Sequence, residues 1–525
     1  MNGRNLIGNE YAEAFASAFK AINPLTGETL EGDFFPAQQK DVDEALDLAV
    51  KAFPVYKNID KDRKADFLRA IGNEILALGE ALIERAAEES GLPAGRIQGE
   101  RGRTIGQLNM FADLVAEGSW VEAIIDHPLP DRQPVPRPDI RRMLVAMGPV
   151  VIFGASNFPL AFSVAGGDTA SALASGCPVI VKAHSAHPGT SALVASAVQK
   201  AVISTGMPEG VFSMLFDSGY KIGEALVKHP KTKAVTFTGS FKGGMALARI
   251  AAERPVPIPV FAEMGSINPV LLLPEALENR AEQIAREYAG SITLGAGQFC
   301  TNPGLLLGID SDSLTRFAQK LADEVAEISS ATMLTPGICK NFHELSSGML
   351  EEKQVTLIAK SVLRTEGANN QALATIAKVA AKDFLANPKL KEEVFGPWSL
   401  LVVAENAVEL EEVLDYIGGQ LTFSIMAEDA ELENYPALLD KAQDISGRML
   451  LNGAPTGVEV CAAMQHGGPF PATNDSRFTS VGTTAIRRFV RPVSWQNWDK
   501  KLLPLALQDG NPLKIWRLVD NIQTK

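Results

Sequence analysis

The chain has 525 residues, too many for one hydrophobic core, so two or three domains are expected. A hydrophobic fraction of 46% and a charged fraction of 21% suit a soluble globular protein, and a formal charge of −13 without a block of lysine or arginine argues against nucleic acid or an anionic membrane as partner. The four cysteines make no disulfide framework and no metal-ligand spacing, which predicts a cytoplasmic protein without a metal centre.

The start, Met-Asn-Gly-Arg-Asn-Leu-Ile-Gly-Asn-Glu, carries charge and no apolar core, so no signal peptide is expected. Val42, Ala45, Leu46, Ala49, Val50 and Phe53 recur at helical spacing, as do Phe67, Ile71, Ile75 and Leu76, which predicts helices over 40–90. Five prolines between 126 and 139 predict an extended connector, followed by an apolar strand at Met143–Met147. No charged residue occurs from Met143 to Gly167, but Gly148, Pro149, Gly154, Asn157 and Pro159 break that run, so a strand, a loop and a helix start fit better than a membrane span.

Strand-like runs at Val150–Phe153, Pro178–Val181, Val211–Leu215, Ala234–Phe237 and Val260–Ala262 alternate with helical segments, the rhythm of βαβ units and a parallel sheet. A second α/β series spans Asn268 to about Leu451, and Ala485–Trp495 alternates like an exposed hairpin strand. The usual Gly-x-Gly-x-x-Gly dinucleotide motif is missing. In its place Phe-Thr-Gly-Ser-Phe-Lys-Gly-Gly at 237–244 ends a strand before a helix, where Gly239 and Gly244 offer a turn for a phosphate.

The most informative segment is Gly-Gln-Phe-Cys-Thr-Asn-Pro-Gly at 297–304, which sets Cys300 in a glycine-bounded turn after the apolar helical run Ile284–Leu294. A thiol there has main-chain donors beside it and little bulk to exclude a ligand, as a nucleophile requires. Cys177, beside Gly176 and a strand, reads instead as a small buried apolar residue. Four more segments sit at strand ends: Ser-Asn-Phe-Pro-Leu (156–160), opening a helix and aiming Asn157 at a carbonyl; Lys182 with His184 and Ser185; Phe-Ala-Glu-Met-Gly (261–265), whose apolar neighbours make Glu263 a candidate for a raised pKa; and Glu-Glu-Val-Phe-Gly-Pro (392–397), with Glu393 and Phe395. Singly each has a plainer reading as a cap, a surface charge or an ion-pair member.

Together, in this order, they resemble the aldehyde dehydrogenase superfamily from about Asn23 to Trp498. The resemblance implies an α/β fold in three parts: a Rossmann-like cofactor domain over 1–126 and 149–266, a catalytic domain over 267–456, and a small oligomerisation sheet from 127–148 and 475–500. It implies a homodimer or homotetramer, Cys300 as nucleophile, Glu263 as general base and Asn157 as oxyanion-hole amide. Lys182, His184, Ser185, Gly239, Ser240, Gly244, Glu393 and Phe395 then fall at the cofactor, and Phe158 and His466 at the substrate. Where the superfamily often has Lys-Pro-x-Glu, this chain has Lys182-Ala-His-Ser185, which removes a carboxylate that would repel a 2′-phosphate and implies NADP in preference to NAD. Where it often has Pro-Phe-Gly-Gly, this chain has Gln465-His466-Gly467-Gly468, so His466 either tunes the cysteine or packs in place of phenylalanine. The segments at 153–163, 181–191 and 465–472 look like those of α-ketoglutaric semialdehyde (2,5-dioxovalerate) dehydrogenases, with NADP-dependent oxidation of long-chain or general aldehydes as the alternative. A keto-acid semialdehyde needs a cation for its carboxylate, and Arg103 is the first candidate, Arg101 the second. A cysteine–histidine hydrolase using Cys300 and His466, or a non-catalytic homologue, leaves the cofactor segments or the intact Cys300, Glu263 and Asn157 unexplained.

Overall fold

Short strands rich in Val, Leu and Ile, most of them buried on both faces, dominate the middle of the chain. In the computed structural model, which describes residues 1–15 and 17–525, the strands form two seven-stranded sheets, one of five strands and one of two. The first sheet contains β1 (Val150–Phe153), β2 (Val179–Lys182), β3 (Phe212–Leu215), β4 (Ala234–Thr238) and β5 (Val260–Glu263), in the order β3-β2-β1-β4-β5 and all parallel. Leu6–Ile7 and Glu10–Tyr11 add antiparallel strands beyond β3. Alternation along each strand divides the core: Val150 and Ile152 face one layer with Phe67, Ile71 and Leu108, while Val151 faces the other with Val42, Leu46 and Leu226.

The strand order changes direction between β1 and β4, which is where open α/β sheets leave a crevice at their carboxyl ends. Register aligns those ends: Phe153 lies opposite both Lys182 and Phe237, and Thr238 opposite Glu263. Four helices, Gln39–Tyr56, Lys61–Ala77, Gly79–Ser90 and α1 (Ala94–Glu117), precede this sheet, and α2 (Phe241–Ala252) follows β4. Gly244 on α2 would put a Cβ 2.8 Å from Met264 Cγ and 3.2 Å from Ala262 Cβ. Its missing side chain therefore lets the helix close on β5, and it faces that strand rather than the crevice.

Only five residues separate β5 from β6 (Pro269–Leu272), the first strand of the second sheet. That sheet continues with β7 (Leu305–Ile309), β8 (Thr356–Lys360), β9 (Thr375–Ala380), β10 (Trp398–Ala404), β11 (Gln420–Met426) and β12 (Ser446–Leu451), in the order β8-β9-β10-β7-β6-β11-β12. Every pairing is parallel except β8 with β9. After β12 the chain returns across the junction of the two sheets. The Asn474 carboxamide accepts from Ala262 N at 2.8 Å and donates to Val260 O at 2.7 Å, and Met264 N donates to Ala472 O, so this return segment is stitched to β5.

The third sheet differs from the expected segments 127–148 and 475–500. It takes Ile140–Ala146 and Val490–Gln496 from them, but also Ile124–Asp126, Arg517–Val519 and Ile522–Thr524. The last two are a short hairpin that a sequence of charged and turn residues hardly announces. The expected strand at Ala485–Trp495 is also shorter, because Thr483–Phe489 forms a 3-10 turn in which Ala485, Ile486 and Phe489 are buried. Among the described residues no helix is long and apolar enough to cross a membrane.

Candidate active site

The end of β5, the loop before β7 and the return segment meet at one point. β5 ends in Glu263, which is 4% exposed although its carboxyl belongs to a strand terminus. The return segment supplies His466, 1% exposed, whose Nε2 lies 3.1 Å from Glu263 Oε1 and 3.4 Å from Cys300 Sγ. Ser480 Oγ, from the same segment, donates to Glu263 Oε2 at 2.6 Å. Burial by itself raises the Glu263 carboxyl, but the adjacent His466 ring and the hydrogen bond from Ser480 outweigh it and hold the group below its usual range. The raised pKa expected for Glu263 is thus reversed: polar neighbours, far away in sequence, replace the apolar ones next to it.

Cys300 follows helix α3 (Pro274–Thr293) and a tight turn in which Gly295, Ala296 and Gly297 all have positive φ. A Cβ on Gly297 would sit 2.3 Å from the Gly396 carbonyl, so only glycine permits the turn to press against the 396–397 backbone. Asn268, fully buried and itself at φ 43°, donates through Nδ2 to the carbonyls of Cys300 at 2.8 Å and Asn302 at 2.9 Å, which pins the Cys300 loop. Burial and the negative charge of Glu263 push the Cys300 thiol well above its ordinary value, so the resting group is the thiol and needs a base. Cys177 is fully buried, with Sγ against Phe489 O, as a small apolar residue would be.

Asn157 reaches the same loop: its Nδ2 donates to Gln298 O at 3.1 Å, leaving a second N–H for a ligand. It does not open a helix, however, because residues 154–166 are loop and the helix begins at Gly167. The loop is held instead by Glu100, a buried residue of α1 that accepts from Leu160 N at 2.8 Å and Ala161 N at 2.9 Å. Phe158 packs with Phe299 and Phe162, and Phe162 lies 6.2 Å from the His466 ring, so His466 both packs among aromatics and touches sulfur.

Two arginines of α1 lie on these rings. Arg96 stands over Phe158 and Phe299 and donates to Asn157 O at 3.1 Å. Arg103 stands over Phe158 and Phe162, at 5.8 and 5.4 Å, and its Nε and Nη2 are buried with no partner. Burial lowers the Arg103 guanidinium from its ordinary value, opposed by Cys300, Glu100, Glu263 and Glu459. Arg101, the second candidate for an anion, is engaged elsewhere: its Nη1 donates to Gly79 O at 3.0 Å, at the start of the helix Gly79–Ser90.

At the sheet crevice Lys182 ends β2, half-buried, lowered by burial and opposed by Asp217. His184 accepts from Ala186 N through Nδ1 and stacks on His187 at 5.5 Å; burial beside His187 and Lys182 holds it well below its usual value, so it enters as a neutral N–H donor rather than a cation. Ser185 is exposed, and Ser240 caps α2 by accepting from Gly243 N at 3.2 Å. Gly239 and Gly243 lie against the Phe237 ring. Glu393 lies across Gly265, where a Cβ would be 2.2 Å from its Oε2, and burial pushes its carboxyl up to about 7. Phe395 borders the same crevice as Glu393, Ser266 and Phe299. A switch-point crevice with a lysine ammonium at one strand end and a capped helix N-terminus after the next strand fits a nicotinamide dinucleotide.

Several of these contributors carry no sequence signal. Ser480, Asn268 and Glu100 are not singled out by any motif, and Phe162, although inside 153–163, shows its place only when the return segment and α1 are placed.

A family model described as "Aldehyde dehydrogenase family" matches residues 11–416. The chain is 51% identical over 522 residues to alpha-ketoglutaric semialdehyde dehydrogenase 2 of Azospirillum brasilense, covering 99% of each, and 45% identical over 525 residues to alpha-ketoglutaric semialdehyde dehydrogenase of Acinetobacter baylyi, covering 100% of this chain and 99% of that one. Among solved structures, betaine aldehyde dehydrogenase of Staphylococcus aureus superposes with a TM-score of 0.81 at 19% identity, over 95% of this chain and 96% of that one, a likeness of fold.

The turn at Gly297 gives a direct test of how the nucleophile is held. Gly297→Ala combines positive φ with a backbone clash, a strain of about 1–2 kcal/mol or more, and is expected to lower the iodoacetamide labelling rate of Cys300 at least several-fold while cofactor binding persists. Mapped peptide labelling with unchanged Cys300 reactivity would mean that the turn does not set the thiol.

Proposed function

The chain belongs to the aldehyde dehydrogenase family, and we propose that its substrate is α-ketoglutaric semialdehyde, oxidised to 2-oxoglutarate with NADP in preference to NAD. Oxidation of an aldehyde to the acid with NAD(P) is the activity of that family. The substrate reading is supported by two relatives of that name at 51% and 45% identity over full length.

The observation that carries the reading in this chain is the pair of buried, unpartnered donors on Arg103. Nε and Nη2 form one edge of the guanidinium, the edge that receives a carboxylate through two parallel hydrogen bonds. Leaving such donors buried and unpaired is costly, and a substrate carboxylate relieves that cost. The aromatic surface of Phe158 and Phe162 beneath it suits the short methylene chain between carboxylate and aldehyde.

In the proposed reaction the Cys300 thiol passes its proton to His466 Nε2 as Sγ bonds to the aldehyde carbon. The free N–H of Asn157 and the Cys300 N–H receive the developing oxyanion. When bound, the nicotinamide supplies the hydride acceptor. Glu263, ionised and fixed by Ser480, then takes a proton from water, whose oxygen attacks the thioester and releases the acid and the Cys300 sulfur. Lys182 and Glu393 are positioned for cofactor hydroxyls, and Ser240 and Gly239 for its phosphates. The exposed edge strand Val490–Gln496 supports a homo-oligomer, dimer or tetramer, and the free cysteines fit a reducing cytoplasm.

Two expected outcomes test this reading. Arg103→Met raises KM for α-ketoglutaric semialdehyde by at least tenfold, about 1.4 kcal/mol or more, and changes an uncharged aldehyde of similar length little; steady-state kinetics with both substrates decides it, and an equal loss on both would overturn the carboxylate role. Ser185→Glu places a carboxylate where a 2′-phosphate is expected and shifts the NADP/NAD ratio of kcat/KM toward NAD by about tenfold or more. An unchanged ratio would locate the 2′-phosphate elsewhere.

A further inference from the structure

Glu263, Cys300 and His466 offer one carboxylate oxygen, one sulfur and one imidazole nitrogen, all within 4.8 Å of one another. From this geometry we infer that the resting active site is also a reversible inhibitory site for a thiophilic divalent cation, Zn2+ above all, which closes the enzyme by ligation to these three side chains. The inference goes beyond the dehydrogenase reaction and does not depend on which aldehyde is the substrate.

Tetrahedral zinc with sulfur at ~2.3 Å and nitrogen or oxygen at ~2.0–2.2 Å sets neighbouring ligand atoms about 3.3–3.6 Å apart. The separations here are 3.4 Å from Sγ to Nε2 and 3.1 Å from Nε2 to Oε1, and Sγ and Oε1 lie within 4.8 Å, so side-chain rotation of Cys300 and Glu263 completes the triangle. Oε1 has no aligned hydrogen-bond donor in its buried position, while Ser480 fixes Oε2 and thereby orients the free oxygen toward the cluster. That is the outer-shell hydrogen bond which commonly orients a ligating carboxylate. Cys300 is the half-exposed member, which leaves a fourth position for water.

Charge favours the same occupant. Ligation replaces the Cys300 proton by the metal and releases that proton to solvent, so a thiolate and a carboxylate together neutralise a dication in a buried pocket. Sulfur and imidazole select zinc, cadmium or cobalt over magnesium and calcium. His466 Nδ1, however, is buried without a partner, and histidines of resident metal centres usually have one there. The site is therefore a reversible trap rather than the seat of a permanent cofactor. Because the metal occupies the sulfur lone pair and the nitrogen that takes its proton, metal binding and attack on the aldehyde exclude each other.

The test uses the full-length, reduced protein carrying Cys461→Ser, which removes the exposed thiol outside the site. Cobalt titration is expected to give a near-ultraviolet thiolate-to-cobalt charge-transfer band that saturates at one ion per chain. Zinc is expected to protect Cys300 from iodoacetamide and to inhibit turnover, both reversed by EDTA, with magnesium inert. His466→Phe and His466→Asn weaken zinc binding measured by equilibrium dialysis by about tenfold or more, and prior alkylation of Cys300 abolishes the cobalt band. Absence of a saturable thiolate band in the wild-type site, survival of the band after Cys300 alkylation, or equal zinc affinity in folded His466 variants would each overturn the proposal. The alkylation arm decides the matter even if the His466 variants fail to fold.

Discussion

One imidazole nitrogen stands between a thiol and a carboxylate at the junction of two sheets, and the rest of the site depends on that contact. His466 Nε2 touches Cys300 Sγ and Glu263 Oε1 while all three groups are withdrawn from bulk water to different degrees. In such surroundings an isolated carboxylate would rise in pKa and an isolated thiol would stay protonated. Beside Glu263 the His466 ring and the Ser480 hydroxyl reverse the first effect, and the same nitrogen lies within reach of the sulfur. It reaches this position only because the return segment is stitched to β5 through Asn474 and Ala472. Precision at the sulfur thus comes from three remote parts of the chain, and not from the local motif alone.

The second constraint is the treatment of charge on α1. Arg96, Glu100 and Arg103 follow one another at helical spacing along the face toward the nucleophile loop. Glu100 uses its carboxylate to anchor the 157–161 loop, Arg96 grips the Asn157 carbonyl, and Arg103 keeps two donors in reserve over an aromatic floor. A helix that looks polar in sequence therefore both holds the Asn157 loop in place and keeps a cation beside the aromatic rings. A carboxylated substrate fits such a wall better than a purely alkyl one.

Much of this was legible in the sequence for physical reasons. The β1 to β5 runs are apolar on both faces, so their alternation with helices was visible without any long-range information, and strand ends marked Lys182 and Glu263. The octet around Cys300 declared itself through glycine density. What failed was whatever depended on contacts across long separations: the direction of the Glu263 shift, set by His466 and Ser480 more than 200 residues on; the loop at 154–166, held open by Glu100 rather than begun as a helix; and the hairpin at the C-terminal end that extends the third sheet. Arg101 and Arg103 were indistinguishable in sequence because two residues on a helix differ by more than half a turn in direction, and only the packing of α1 separates them.

The central claim is a division of labour in which His466 takes the thiol proton and Glu263 serves water in the later step. Rapid-mixing kinetics of Glu263→Gln measure it most directly. The account predicts a burst of reduced cofactor of about one equivalent per active site followed by turnover slowed by orders of magnitude, because acylation survives and hydrolysis does not. Loss of the burst along with the steady state, in a folded variant that still binds cofactor, would contradict it and give Glu263 the earlier role.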